Sequence, residues 1–458
     1  MRAGTPTAMS HVTPVSPQSP HAGGDARASR CTWFNHFAHR YHFISLHDQS
    51  QARLIRIHSS QMAGIMGSHR FLAQIKDGFV EPHVADTLDR LELMGRVRLA
   101  LDGLMTIERY AWDSRGALTM IGKLHAPADE VYPQIRAGMA ALGFTPFLRR
   151  SGDDVEIKAL PFVIAAPKPN IVLPVALFII TVLSTLMVGA LYDGIDVFSN
   201  PAGIVAGIPF SATIMGILFV HEMGHYIVGR WRRAPVSLPY FIPVPPIPIP
   251  GLGIITFTGT LGAVIVQREP MLDRKTILEI GIAGPLAGLI VAIPLLFYGL
   301  ATSPVGPPPP GGYIQEGNSI LYAMAKYLVF GQFLPGNGVD VQLNAVAWGA
   351  WIGLLVTMIN LLPIGQLDGG HVAYALLGEY AHYLAYAFIG GCVLLGILVA
   401  PNWLLWGVLG LFIGPRHPPP LNDVSRIGPG HAALAVLGLI TFVLLFMPNP
   451  LQVVGVPQ

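Results

Sequence analysis

The sequence predicts an α-helical polytopic membrane protein with six or seven spans and a small N-terminal α/β soluble domain. Apolar residues make up 52% of the 458 residues and charged residues only 12%, against roughly 25% charged residues in ordinary globular domains. Several apolar stretches also approach or exceed the roughly 20 residues that a helix needs to cross a bilayer. The net charge of +2 is too small to indicate a nucleic-acid partner.

Residues 1–69 differ in composition from the rest of the chain. They hold eight of the sixteen histidines, are rich in arginine and contain few acidic residues. Three interpretations stay open: a disordered arm, a targeting segment, or a translated extension upstream of the true start, with Met62 or Met66 as the alternative start. The histidines lack regular ligand spacing, so we do not expect a metal site there.

Residues 70–169 have the composition of a small soluble domain. Hydrophobic periodicity and turn residues predict the following elements. They are a helix over Val80–Met94, strands over Val97–Leu101 and Ala117–Gly122, a helix from Pro127 to Leu142, and a hairpin of Phe147–Arg150 with Val155–Lys158. This order favours a ferredoxin-like or related α/β sandwich. Since nothing in it indicates catalysis, we expect a regulatory or substrate-contacting domain.

Residues 170–450 form the membrane-embedded part, and residues 451–458 are a tail. The predicted spans are 170–191, 204–229, 276–301, 343–363, about 380–400, about 402–415 and 431–448. The sixth is short, which is why the count stays at six or seven.

The basic residues of the short loops predict the orientation in the membrane. They concentrate between the second and third spans and after the sixth: Arg230, Arg232, Arg233, Arg268, Arg274, Lys275, Arg416 and Arg426. The soluble domain, the 230–275 segment and the 416–430 loop should therefore be cytoplasmic. We expect an integral protein of a bacterial cytoplasmic membrane; in a plastid these parts would be stromal.

Two connections are unusual. Residues 234–266 are apolar but dense with proline, and they continue into the β-favouring run 254–260. Such a run cannot be a helix facing lipid, so we expect a re-entrant loop or a short sheet that is covered by protein. Its strand is a candidate for binding an unwound substrate by β-augmentation. Beyond the third span, residues 302–317 read as a Pro/Gly loop and 318–331 as an interfacial helix.

The candidate catalytic residues begin with His221-Glu222-Met223-Gly224-His225 inside an apolar run, 203–228, that has no other charged side chain. On a helix this H-E-x-x-H pattern places two imidazoles one turn apart with a carboxylate beside them. Two neutral imidazoles suit zinc, which in catalytic sites takes three protein ligands and leaves one position for water. Glu222 is then placed to accept a proton from that water.

A third ligand is needed, and Asp368 is the candidate. It follows Pro363, which ends the fourth span, and precedes two glycines that permit a tight backbone near a metal. Asn360 carries an uncharged hydrogen-bond donor. It could stabilise the transition state at a scissile carbonyl, or it could form a hydrogen bond between helices. For His371 three roles stay open: it supports a metal ligand, contacts substrate or lies at the membrane interface, and we do not expect it to be a ligand itself. Cys31 and Cys392 are far apart and form neither a disulfide framework nor a cysteine metal site.

At these residues the chain resembles the site-2 protease family of intramembrane zinc metalloproteases. The H-E-x-x-H within a span and the later N-x-x-P-x-x-x-L-D-G, residues 360–369, match the paired motifs of that family. Further likeness at 281–288 and 417–423 points to the branch with an extra N-terminal domain, found in chloroplasts and many bacteria, and no PDZ-like insertion is present. The resemblance implies one zinc ion bound by His221, His225 and Asp368, with Glu222 as the catalytic base and Asn360 assisting.

The leading hypothesis is an intramembrane zinc endopeptidase that lies in a lipid bilayer and acts on a single-span membrane protein whose helix unwinds locally. The alternative from another class is a transporter or metal-ion carrier, because broken helices and ionisable residues at mid-membrane also mark transporters. A zinc-binding scaffold without catalysis is a third possibility. Gly284 and Gly288 form G-x-x-x-G, which we interpret as packing around the catalytic spans rather than dimerisation.

Overall fold

A computed structural model describes residues 82–163, 170–249, 253–254, 258–267, 269–309 and 313–454. The predictions for residues 1–69 lie outside the described residues. Within the described part, a small domain of mixed helix and strand precedes a mostly helical region with an apolar core.

The small domain contains α1 (Pro82–Ala100), β1 (Met105–Trp112), β2 (Leu118–Leu124), α2 (Ala128–Ala141), β3 (Thr145–Ser151) and β4 (Asp154–Leu160). Its sheet has the order β1-β2-β4-β3, and all neighbouring strands are antiparallel. Strands β2 and β3 are therefore parallel to each other, with β4 between them and α2 connecting them. This is the split β-α-β arrangement of ferredoxin-like sheets, preceded among the described residues by α1 and β1.

The predicted strand over Val97–Leu101 is wrong, because α1 continues to Ala100. Met94, Val97 and Leu101 are buried at helical spacing, whereas Leu99 is 76% exposed. A short run of alternating apolar residues is compatible with the period of a strand and with that of a helix. Here burial against the rest of the domain favours the helix. Strand β1 was not predicted because a bulge between Ile107 and Arg109 interrupts its alternation.

The helical region contains nine described α-helices after α2, and short 3-10 helices at Pro201–Gly207 and Gly378–Tyr380. The α-helices are α3 (Val172–Tyr192), α4 (Ile208–Trp231), α5 (Arg274–Ala301), α6 (Ile320–Phe330), α7 (Ala345–Asn360), α8 (Asp368–Leu377), α9 (Ala381–Leu398), α10 (Trp403–Ile413) and α11 (Pro429–Leu445). Four described helical stretches are long and apolar enough to cross a membrane: 172–192, 201–231, 274–301 and 368–398. Helices α7, α10 and α11 are shorter and also apolar.

Helix α8 was not predicted. The sequence indicates a break after Pro363, and the chain does leave the helix at Asn360, but a new helix begins at Asp368 itself. An acidic residue in the first turn favours a helix start, because the N-terminal end of a helix carries partial positive charge. Gly369 and Gly370 pack against backbone carbonyls of Leu361 and Gly365, which a larger residue would displace. The glycines thus allow the return of the chain to helix.

The proline-rich connection forms short strands β5 (Tyr240–Pro243), β6 (Pro248–Ile249), β7 (Gly253–Ile254) and β8 (Thr260–Val264). Strand β5 pairs with β8, and β6 pairs with β7. Ser184 on α3 donates to the carbonyl of Gly259 at 2.6 Å, so the segment packs on the first long helix. The strand expected over 254–260 lies later, at β8; residues 255–257 are outside the described part.

The opposite ends of the helices carry a second group of short strands. Strand β9 (Val305–Gly306) pairs with β11 (Asp340–Val341), and β10 (Tyr313–Glu316) pairs with β12 (Leu451–Val454). Residues 451–454, which we assigned to a tail, therefore form a strand. A helix, α6, is present within 318–331, and Ile320, Met324 and Leu328 form an exposed apolar stripe on it. Its place at the membrane interface stays a prediction.

The small domain is joined to the helical region by backbone pairing. Residues 421–423 lie between the edge strand β3 and residues 271–273: Leu148 donates its N–H to the carbonyl of Leu421 at 2.7 Å, and Leu421 donates to Met271 at 2.8 Å. Leu421 is buried in the core of the small domain. Ion pairs between Arg136 and Glu269 and between Lys275 and Asp129 border this contact.

Candidate metal centre

The H-E-x-x-H residues lie on α4, in its C-terminal half. His221, Glu222 and His225 are 1%, 5% and 8% exposed. Burying three polar groups in a helix that can cross a membrane is costly unless they have partners. The partners of the two imidazoles come from α5, α7 and α8.

Three glycines of α5 let that helix approach three histidines, two on α4 and one on α8. A Cβ atom at Gly284 would lie 2.0 Å from His225 Nε2, and one at Gly288 would lie 3.2 Å from His221 Nδ1. A Cβ at Gly281 would lie 2.6 Å from the Cβ of His371. The G-x-x-x-G pattern therefore makes room for the imidazoles, and the interpretation as packing around these helices is confirmed.

The orientation of His225 is set by a backbone group of α5. Its Nδ1 lies 2.6 Å from the carbonyl oxygen of Ile280, and a carbonyl only accepts, so Nδ1 carries the proton. This leaves the lone pair of Nε2 free, which is the arrangement found for metal-binding histidines. The sequence could not reveal this carbonyl, because any residue type supplies one.

Asp368 brings the third candidate atom from the first turn of α8. Its Oδ2 lies 3.3 Å from His221 Nε2 and 3.3 Å from His225 Nε2, and the two nitrogens are 3.2 Å apart. Donor atoms bound at 2.0–2.1 Å around a tetrahedral zinc ion are roughly 3.3 Å apart. Among the described residues, none donates a well-aligned hydrogen bond to this buried oxygen. The three side chains thus fit one zinc ion, and the described residues contain no other such group.

Glu222 and Asn360 lie beside this triad without belonging to it. Glu222 is adjacent to His221 on α4 and buried. Asn360 is the last residue of α7, and its Nδ2 is 3.3 Å from His221 Nε2. The structure therefore brings all five predicted site residues together from three helices, with the Asn360 amide and the Glu222 carboxylate next to the candidate metal-binding atoms.

His371 is not part of the triad but lies one turn after Asp368 on α8. Its Nδ1 is 2.6 Å from Nε2 of His417, a residue that we did not predict near the site. The ring of His417 in turn stacks on Tyr374 at 4.5 Å. Burial lowers the pKa of His417 well below its usual value, so this imidazole is neutral. The only sequence signal for His417 near the site was the similarity of residues 417–423 to the protease family.

The part of the chain that contains these residues is similar to known proteins. Residues 209–396, which contain all five predicted site residues, match the model of Peptidase family M50. The protein from Arabidopsis thaliana named "Probable zinc metalloprotease EGY1, chloroplastic" is 31% identical over 252 residues, covering 53% of this chain and 43% of the relative. "Probable zinc metalloprotease EGY2, chloroplastic" from the same plant is 28% identical over 270 residues, covering 57% and 46%.

A longer alignment extends beyond the metal centre. "Probable zinc metalloprotease EGY3, chloroplastic" from Oryza sativa subsp. indica is 22% identical over 423 residues, covering 79% of this chain and 66% of the relative. This chain spans about half the length of the two Arabidopsis relatives. No solved structure matches it. The match over residues 209–396 and these relatives show that the chain carries the Peptidase family M50 domain of the site-2 proteases and is homologous to the chloroplastic zinc metalloproteases.

Proposed function

We propose that this protein is an intramembrane zinc metalloendopeptidase that hydrolyses peptide bonds in or near the transmembrane segment of membrane-protein substrates. The observation that carries the proposal is the convergence of His221, His225 and Asp368 at 3.2–3.3 Å inside a bundle of apolar helices, with Glu222 beside them.

The side chains divide the chemistry between them. His221, His225 and Asp368 would hold one zinc ion, which supplies Lewis-acid activation of water and of the scissile carbonyl. Glu222 accepts the proton that the attacking water loses and passes it to the leaving amine. The Asn360 amide donates to the carbonyl oxygen as it gains negative charge. The buried setting strengthens each of these electrostatic interactions.

The substrate that fits this site is a single-span membrane protein whose helix unwinds locally. A helical peptide satisfies its own backbone bonds, so the scissile bond is exposed to attack only after local unwinding. Strand β8 lies in a two-stranded sheet with β5 and offers a place where an unwound segment can add as a strand. Binding of substrate to this strand stays a prediction.

The orientation of the protein in the membrane is also a proposal, and it is inferred from the basic residues of the loops. The small domain and the connections that carry Arg230, Arg274 and Arg416 would face the cytoplasm, or the stroma in a plastid. Helices α7, α10 and α11 would complete the four longer spans to a total of seven. Asn360 and Asp368 would then lie below the membrane surface on the cytoplasmic side, within reach of water.

The carrier alternative gains no support from the comparisons, since the relatives are named as metalloproteases. A carrier needs ligands for its ion, whereas a peptidase also needs a base. Glu222 is buried beside the three candidate ligands and is not one of them, which is the position of a base.

Glu222→Gln tests the proposal, because the substitution keeps the size of the side chain and removes its basicity. Purified wild-type and variant chains would be reconstituted with a model single-span substrate, and cleavage and bound zinc would be measured. We expect retained zinc and cleavage reduced by about 10²–10⁴-fold. Glu379→Gln, at an exposed glutamate beyond α8, is the matched control and should cleave normally. Undiminished cleavage by Glu222→Gln would refute the mechanism.

A further inference from the structure

One side of α8 carries a series of residues that contact other elements of the protein. Asp368, His371, Tyr374 and Gly378 follow each other at intervals of three or four residues, so they line one face of the helix and its C-terminal end. Asp368 lies beside the two imidazoles of α4. The other three contact residues outside the candidate metal centre.

His371 is held from two sides. Its Cβ packs against Gly281 of α5, and its Nδ1 lies 2.6 Å from His417 Nε2 in the connection between α10 and α11. Because His371 is one turn from Asp368, these contacts fix the rotation of the first turn of α8 about its axis.

The next turns of α8 are anchored to the same connection. The Tyr374 ring stacks on His417, and its hydroxyl donates to Asp423 Oδ2 at 2.9 Å. Arg274 Nε donates to Asp423 Oδ1 at 2.7 Å. A Cβ atom at Gly378 would lie 2.3 Å from Arg274 Nη2, so the guanidinium lies against the end of the helix. Every turn of this helix therefore has an anchor.

The anchoring connection is itself held by the small domain. Leu421 and Asp423 exchange backbone hydrogen bonds with Leu148 of β3, at 2.7 and 3.1 Å. Asn422 Nδ2 reaches the carbonyl of Ala128 at 3.4 Å. A continuous series of contacts thus leads from the sheet of the small domain to the first turn of α8.

Helix α8 needs such anchors more than its neighbours do. It has only 10 residues, and its N-cap residue, Leu367, provides no side-chain hydrogen bond. Its C-terminal end continues through 378–380 into α9, whereas its N-terminal end follows a non-helical segment, so the position of its first residue depends on tertiary contacts. A shift of that residue would move one of the three candidate zinc ligands.

We propose that His417 and Asp423 are positioning residues through which the small domain holds α8 in register and keeps the Asp368 carboxylate beside His221 and His225. The inference rests on the proposed zinc site. It gives the small domain a physical task, which is to brace the metal centre of the protease domain.

Zinc affinity of the full-length chain in detergent, measured by competition with a chelator, tests the proposal without any substrate. We expect His417→Leu to weaken zinc binding about 10-fold, the lower end of the loss that follows removal of a residue bonded directly to a metal ligand, because His417 acts on Asp368 only through His371. His417→Gln keeps a nitrogen near the position of Nε2 and should restore most of the affinity. Tyr374→Phe keeps the ring but loses the bond to Asp423, so a smaller loss is expected.

Two further variants separate positioning from general damage. Asn422→Ala weakens the contact between the connection and the small domain. It should also lower zinc affinity, although the hydrogen bonds of Asn422 among the described residues reach neither α8 nor the candidate zinc ligands. His382→Leu, at a histidine whose ring packs on Tyr383, should bind zinc like the wild type. If His417→Leu does not fold, Tyr374→Phe and Asn422→Ala carry the test.

Wild-type zinc affinity in the folded members of the set His417→Leu, Tyr374→Phe and Asn422→Ala would overturn the proposal. So would an equal loss in His417→Gln and His417→Leu, because positioning requires rescue by the conservative variant. A wild-type chain that binds zinc but cleaves no membrane substrate would overturn the proposed function alone. The graded loss of affinity would then still support the bracing role.

Discussion

Two clusters of buried ionisable side chains differ in how their members satisfy one another. In the candidate metal centre, the nearest atoms of His221, His225 and Asp368 lie 3.2–3.3 Å apart, and each is an atom that could bind a metal ion. In the second cluster, Glu316 Oε1 accepts from the Tyr322 hydroxyl at 2.9 Å and lies 3.5 Å from the Lys326 ammonium. In the second cluster, the Glu316 carboxylate therefore has both a hydrogen-bond donor and a cation supplied by neighbouring side chains.

This difference shows what distinguishes a metal centre from a buried ion pair. Burial raises the pKa of Glu316 and lowers that of Lys326, and the opposite charge of each partner counteracts the shift of the other. In the metal centre, Asp368 Oδ2 has no well-aligned donor among the described residues, and His225 has turned its proton towards Ile280. A cation is therefore the partner that completes the first cluster, while the second is already complete.

The largest effect is expected from Asp368→Ala, which removes one of the three candidate ligands. Zinc affinity should fall by more than about 100-fold, since loss of an outer partner alone costs about 10–100-fold, and cleavage should be lost with it. Zinc content and cleavage of the purified variant check this. The matched control is Asp340→Ala beside the second cluster, where Asp340 accepts from Gln315; full zinc content is expected there. Equal zinc in Asp368→Ala and the wild type would exclude Asp368 as a ligand.

Lys326→Met should have the second largest effect, on stability rather than on zinc. Lys326 is fully buried and Glu316 is 8% exposed, so the substitution leaves a carboxylate without its counterion. Breaking a buried pair in this way costs about 3–5 kcal/mol of folding free energy. Thermal unfolding in detergent measures the loss, and zinc content should stay at the wild-type level.

The double variant Lys326→Met with Glu316→Gln is the control for that loss. It removes both charges and should recover most of the stability, because the main cost is the unpaired carboxylate. A double variant as unstable as Lys326→Met would mean that packing of the lysine side chain, and not its charge, holds this cluster together.

Much of the helical architecture could be predicted from sequence, because apolar stretches of sufficient length report membrane helices directly. The helices around 172–192, 208–231 and 274–301 were predicted within a few residues. Helix α8 was not predicted, because a helix of ten residues is too short to cross the membrane and this one follows a segment with proline and glycine. The strand predicted over Val97–Leu101 was wrong for a related reason: a short apolar pattern leaves the choice of element to tertiary burial.

The candidate site was predictable where side-chain identity carries the chemistry. His221, Glu222 and His225 are recognisable from their spacing, and Asp368 from the need for a third ligand. The contributions of Ile280 and Gly284 could not be predicted, since Ile280 acts through its backbone carbonyl and Gly284 through the absence of a Cβ atom. The pairing of His371 with His417 joins residues 46 positions apart, which no local pattern reports.

The smallest effect is expected from Tyr322→Phe, which removes one hydroxyl and keeps the ring. The hydroxyl donates to Glu316 Oε1, the same oxygen that faces Lys326 Nζ. A hydrogen bond to a charged group contributes about 1.5–3 kcal/mol, and the ring continues to face the ammonium, which lies 4.5 Å from its centre. We therefore expect a loss of stability near the lower end of that range and unchanged zinc content.

Combining Tyr322→Phe with Lys326→Met in a double-mutant cycle tests whether the cluster acts as a unit. Because both donors share one carboxylate oxygen, removing the first makes the second more important, and the two losses should differ from additivity by about 0.5–3 kcal/mol. Additive losses would mean that the hydroxyl and the ammonium act on Glu316 independently. The second cluster would then be a set of separate contacts, and the contrast with the jointly required ligands of the metal centre would become sharper.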